Sequence, residues 1–254
     1  MTINNMDKLK NIVSQQPYPL LFATVSGAHL YGFPSPDSDY DLRGVHILPL
    51  REVVGLDKRK ETVKAMREVD GIELDLVTHD LHTFFALLLK RSGSVLEQLY
   101  SPIIVHTTPE HARLKEIALG CVTKHHAHHY FGFSKRKWED LNERDIPQVK
   151  PLLYVYRILL TGIHLMRTGE MEANLVHLNE IFKLPYIPDL IEHKKAGTEN
   201  GTLDDADLDF HKSEYTRLVT MMENARDDSH LPDNPTQKPA LNNLLMDILG
   251  VSNK

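Results

Sequence analysis

The sequence predicts an α+β protein: a small mixed β-sheet backed by helices up to about residue 107, then an all-helical part. Three observations predict it. An apolar run, Leu20-Leu21-Phe22-Ala23-Thr24-Val25, reads as a buried strand. Alternating segments at 62–69 and 72–77 flank Asp70-Gly71, a two-residue hairpin signal because both positions tolerate positive φ. From Thr108-Pro109 onward strand signals fade and helical periodicity takes over. The expected division is residues 1–107 and 108–254.

In chain order, residues 6–16 read as a short helix leading through Pro17-Tyr18-Pro19 into the first strand. A second strand is expected from Asp39 through Leu48, where Pro49 stops it. Residues 50–60 carry no clear pattern. In the hairpin's return strand Ile72, Leu74 and Leu76 face one side and Glu73 with Asp75 the other. Asp80 is placed to cap a helix over 81–90 that Ser92-Gly93 ends. Ser94-Val95-Leu96-Glu97 has the form of a capping box opening another helix toward Tyr100, and Pro102 closes this half. Beyond it, Thr108 caps and Pro109 occupies the first turn of a long helical stretch toward 130, interrupted near Gly120. Further helices are expected at 131–141, 151–167 (stopped by Gly169), 175–182, 214–226 and 240–249, with 193–209 as a polar loop.

Composition bounds the function. At 254 residues, 41% hydrophobic and 25% charged, the chain is an ordinary globular protein of one large or two modest domains. A net charge of −6 argues against a strongly basic nucleic-acid binder while leaving room for a local RNA contact. A single cysteine, Cys121, excludes an internal disulfide framework and fits a reducing cytosol. The polar N-terminus lacks a signal-peptide core, and no apolar run is long enough to span a bilayer. The expectation is a cytoplasmic protein with no membrane partner.

The chemistry concentrates at Asp39-Tyr40-Asp41. Two carboxylates two residues apart on one strand face lie roughly 6–7 Å apart along the chain and would repel without a cation. Asp is poor strand material, and a divalent ion with a substrate phosphate offsets that local cost. The bland alternative is a turn ended by Asp37, Ser38 and Asp39. If the 72–77 strand lies beside this one, Asp75 adds a third carboxylate, with Glu73 the runner-up and a solvated strand face the alternative. Arg43 shares the face, either in a structural salt bridge or meeting phosphate.

Gly27-Ala28, Ser38-Asp39-Tyr40-Asp41 and Arg43-Gly44-Val45 resemble the DNA polymerase β-type nucleotidyltransferases. The nearest subgroup carries Gly-Ser-x-x-Tyr-Gly followed by Pro-x-Ser-Asp-x-Asp-x-Arg-Gly-Val, and some of its members are associated with RNA repair. The resemblance runs from about residue 20 to 245 and includes Tyr130 to Lys135, Lys150, Tyr154, Tyr156-Arg157, Thr168-Gly169-Glu170 and Lys195 to Glu199.

The resemblance implies transfer of an NMP from an NTP to a hydroxyl acceptor (an RNA end, a protein or a small molecule) with release of pyrophosphate. It implies two Mg²⁺ (or Mn²⁺) ions bound with the NTP, ATP being the first candidate. Asp39 and Asp41 would bridge both metals; Asp75 would bind the one nearest the nucleophile and accept its proton. The turn at Gly27 and Ala28, with Ser38 and Arg43, would cradle phosphate. Where the subgroup has Ser after the Gly, this chain has Ala28, so a hydroxyl contact worth about 1.5–3 kcal/mol is missing. The alternative function is therefore a catalytically weak or inactive nucleotide- or RNA-binding sensor or adaptor.

Two further groups are candidates. Lys150, Tyr154 and Arg157 share one helical face expected to close over the triphosphate or base, a solvated charged face being the alternative. His125 and His129 have i,i+4 spacing that suits a transition metal, but no Glu stands between them. With Lys135-Arg136-Lys137 and Trp138 downstream, an RNA-facing patch is one alternative and a charged helix end the favoured one.

Overall fold

The computed structural model describes residues 5–36, 38–57, 59–69, 71–143, 148–196 and 205–251. It forms two compact units, each assembled from separated stretches of chain. Unit 1 is Met1–Gly27, Asp39–Cys121 and Asn234–Lys254; unit 2 is Ala28–Ser38 and Val122–Asp233.

Unit 1 carries a five-stranded mixed sheet in the order β3-β4-β2-β1-β5. The strands are β1 (Leu20–Val25), β2 (Tyr40–His46), β3 (Thr62–Val69), β4 (Ile72–Asp80) and β5 (Ile104–Thr107). β2 and β4 run parallel, while the β1–β2, β1–β5 and β3–β4 pairs are antiparallel. β1 is buried along its whole length, as its unbroken apolar run requires of a strand covered on both faces. α1 (Met6–Ser14) contributes Leu9, Ile12 and Val13 to a core shared with Ala23, Val25, Leu42, Leu74, Leu76 and Val105. Phe22 packs edge-on against Phe84 and face-on against His111.

Asp80 caps α4 (Leu81–Leu89) as expected, accepting hydrogen bonds from the His82 and Thr83 amides. Arg91 then takes a positive φ of 66°, and the chain turns early enough that α5 (Gly93–Tyr100) starts at Gly93 with Ser92 in the cap position. The expected capping box at Ser94 is therefore displaced into the helix. α6 (Pro109–Leu119) begins as predicted, with the Thr108 hydroxyl accepting from the His111 amide.

β5 was not expected, because only six residues separate Pro102 from the helix that begins at Pro109. It earns its place on the sheet by pairing with β1, and Ser101 secures it by donating to the Val25 carbonyl at 2.7 Å. β2 ends at His46 rather than Leu48, and the unassigned segment after it holds a one-turn helix, α3 (Leu50–Val54). The last helix of the chain, α12 (Lys238–Ile248), also belongs to unit 1 and packs on α6 and α4. The compact units thus interleave, whereas the sequence suggests a single division at 107/108.

Unit 2 is helical. α8 (Val149–Thr168) is buried almost all round and packs against α7 (Ala127–Asn142), α9 (Leu175–Phe182), α10 (Tyr186–Ala196) and α11 (Asp205–Asp227). Gly162 lets α7 and α11 come close to α8: a β-carbon there would stand 2.6 Å from Met222 Sδ and 2.9 Å from Tyr130 Cβ. Gly169 ends α8 in the left-handed conformation, as expected. The helix expected at 131–141 starts earlier and runs through Gly132. The loop expected at 193–209 is in part the ends of α10 and α11; α10 tolerates Pro188 because it lies in the first turn, where no intrahelical donor is lost. Residues 197–204 lie outside the described residues. Among the described residues no helix is long and apolar enough to cross a membrane.

Candidate active site

The parallel pairing of β2 with β4 sets Asp41 directly beside Asp75, with Leu42 beside Leu76 and Tyr40 beside Leu74. Alternation then sends Leu42, Leu74 and Leu76 into the core and the two carboxylates to the opposite face. Asp41 and Asp75 side chains are 28% and 34% exposed, open enough to meet a solute.

Arg43 lies between them. Its Nη2 donates to Asp41 Oδ1 at 2.7 Å and to Asp75 Oδ2 at 2.8 Å. Its Nη1 donates to the carbonyls of Leu42 (2.9 Å) and Asp75 (2.7 Å). Asp39 precedes β2 and is exposed; it lines an open cavity of about 260 Å³ with Met66, Glu68, Glu73, Leu74 and Asp75. Sequence reasoning placed Asp39 on the strand with Asp41, but pairing begins one residue later, at Tyr40.

Gly27 closes the site from β1. Its φ is +63°, and a β-carbon on it would collide with Asp41 Oδ2. The neighbouring Ser26 amide donates to the Asp41 carbonyl at 2.8 Å, tying the end of β1 to the start of β2. At the other end of these strands, burial lowers the pKa of His46 and of His79 below the ordinary histidine value. His46 is held by Thr78 Oγ1 (2.9 Å) and the Lys60 carbonyl (3.0 Å) and stacks on Tyr18.

The remaining predicted residues belong to unit 2. Ala28 is buried there, in the short helix α2 (Gly27–Tyr31) that the Gly27 turn opens. Ser38 Oγ accepts from the Ser35 amide at 2.9 Å and lies 3.0 Å from Ser35 Oγ, which in turn accepts from the buried Lys194 Nζ at 2.9 Å. Lys150 and Tyr154 are half-buried on α8. The Tyr154 ring meets Tyr31 and Phe33 edge-on. Arg157, on the same face, is fully buried, with its guanidinium 3.8 Å from the centre of the Tyr31 ring. In this arrangement its charge is used inside the unit, in a cation–π contact.

The histidine run divides by location. His125 lies in a 3₁₀ turn (Lys124–His126), 3.1 Å from Asp233 Oδ1, and stacks on His128. His126 is buried and caps that turn; His129 packs on Tyr130 and Phe133. Among the described residues no three His, Cys, Asp or Glu side chains gather closely enough to hold a metal ion, in this run or elsewhere.

The five-stranded mixed sheet and the family the chain matches are those of a nucleotidyltransferase-type protein. The chain belongs to the RNA repair pathway DNA polymerase beta family, RlaP, which it matches over residues 1–247. It is 26% identical over 223 residues to the uncharacterized protein MJ0002 of Methanocaldococcus jannaschii, covering 85% of this chain and 88% of that one. It is also 26% identical over 233 residues to the uncharacterized protein YcgL of Bacillus subtilis, covering 87% of each. Among solved structures it resembles a nucleotidyltransferase-like protein from Exiguobacterium sibiricum 255-15 at 10% identity, with a TM-score of 0.33, covering 98% of this chain and 80% of that one.

Proposed function

We propose that the protein transfers an NMP from an NTP to a hydroxyl acceptor with release of pyrophosphate, in a divalent-metal-dependent reaction. The observation that carries this reading is the convergence of Asp41 Oδ1 and Asp75 Oδ2 on a single positive atom, Arg43 Nη2, beside Gly27. Two carboxylate oxygens already share one cationic centre, so the donor set suits a hard divalent ion. Mg²⁺ binds through one or two carboxylates and completes its octahedron with water and substrate phosphate. The residues therefore fit the ion the family implies: Asp41 and Asp75 would hold it as a pair, with water and substrate phosphate completing its shell. When bound, the metal lowers the pKa of an attacking hydroxyl and neutralises charge on the phosphates.

In this reading Asp75 accepts the proton of the acceptor hydroxyl, and the main chain at Asp41 is tied to the end of β1. Tyr31, in the short helix that follows β1, packs against Tyr154 and Arg157. The family description makes an RNA end the first acceptor to try.

The test is incubation with each labelled NTP, Mg²⁺ or Mn²⁺, and mixed RNA. Labelled RNA with stoichiometric pyrophosphate is the expected result. Ala28, buried and without a hydroxyl, favours a second reading in which the chain binds nucleotide as a sensor or adaptor. NTP binding with no pyrophosphate released would select it.

A further inference from the structure

We propose that Arg43 is a displaceable internal cation: it holds Asp41 and Asp75 together in the metal-free protein, and an entering divalent ion must take its place. The inference rests on the metal-dependent reading of this site. Two carboxylates side by side on paired strands repel unless a positive charge lies between them. Arg43 Nη2 supplies the compensation to both at once, at 2.7 and 2.8 Å. That atom sits where a shared metal ion would sit, so the two occupants exclude each other.

The geometry also keeps the arginine close by. Nη1 is anchored on two main-chain carbonyls, Leu42 and Asp75, independently of either carboxylate. Only the Nη2 contacts have to break on exchange. The released edge of the guanidinium then stays beside the metal, able to meet a phosphate with its planar fork. Both carboxylates and the arginine are partly exposed, so exchange requires no opening of the core.

The experiment is a Mn²⁺ titration of the full chain without nucleotide, followed by electron paramagnetic resonance, on the wild type, Arg43→Gln, Arg43→Lys and Asp41→Asn. Melting temperatures are recorded in chelator and in Mn²⁺. Arg43→Gln is expected to bind Mn²⁺ roughly tenfold tighter, the gain when a site open in about a tenth of molecules becomes fully open. It should melt lower than wild type in chelator and recover in Mn²⁺. Arg43→Lys, which keeps a cation without the fork, should fall between, and it carries the test should the glutamine variant not fold. Asp41→Asn should lose the binding.

Unchanged or weaker Mn²⁺ binding in both Arg43 variants, with wild-type binding intact and lost in Asp41→Asn, overturns the displacement and leaves the metal site standing. Absence of Mn²⁺ binding in every variant overturns the metal reading and this inference with it.

Discussion

Gly27 stands against Asp41 so closely that residue 27 has no room for a β-carbon: one placed there would meet the carboxylate oxygen Oδ2. The carboxylate thus lies against the residue that follows β1, its Oδ2 toward Gly27 and its Oδ1 bonded to Arg43. Two independent demands fall on this glycine, the left-handed φ and the absent side chain.

Gly27→Ala should therefore cost more than an ordinary surface substitution. The strained φ alone is worth about 1–3 kcal/mol, and the collision adds displacement of Asp41. Urea denaturation is expected to show the stability loss. Mn²⁺ binding should weaken in the same variant, because the carboxylate moves.

Asp41→Asn and Asp75→Asn should each lower nucleotidyl transfer by roughly a hundredfold or more, the upper end of what losing even an outer-shell metal partner costs. Circular dichroism should show the fold intact, since both side chains are partly exposed and neither packs in the core. Turnover that persisted in Asp41→Asn would remove the assignment of the site.

Ala28→Ser restores the hydroxyl of the family pattern. A hydrogen bond to a charged group is worth about 1.5–3 kcal/mol, so transfer should rise roughly tenfold to a hundredfold if that contact limits the reaction. Initial rates of pyrophosphate release, compared at saturating NTP, decide it. An unchanged rate would place the limitation elsewhere.

His111 makes stability depend on pH. It is fully buried, stacked 4.3 Å from Phe22, and bonded to Thr107 Oγ1 and the Leu99 carbonyl. Burial pushes its pKa from 6.5 down to about 4. Between those values the unfolded chain takes up a proton that the folded one refuses, so stability falls as pH drops below 6.5 and is fully present above it. Between pH 7 and pH 5 the loss attributable to this group is about 2 kcal/mol. Urea melts at the two values should show a smaller pH difference in His111→Gln than in wild type.

Much of unit 1 was legible in the sequence because its signals are local. The apolar run of β1, the Asp70-Gly71 hairpin signal, the Asp80 cap and the Thr108-Pro109 start each act over a few residues. The parallel seating of β2 on β4 is different: alternation put Asp75 on a polar face, but only the register shows that it stands beside Asp41. Arg43 was readable as a member of that face; its bridging of both acids depends on inter-strand distance, which spacing along one strand does not carry. β5 was missed because four residues are too few to show a period. Arg157 was placed on the expected helical face, yet its burial against Tyr31 follows from packing within unit 2, where a charged residue's surroundings override its usual preference for water.

The interleaving of the two units has a consequence for synthesis on the ribosome. The sheet emerges first, but the helix that covers α6 and α4 spans Lys238–Ile248. Unit 1 therefore waits, incompletely clad, while Val122–Asp233 of the helical unit is translated. A fragment stopped at residue 107 would carry all five strands and lack both α6 and α12, so its exposed apolar flank should make it prone to aggregate where the intact chain is not.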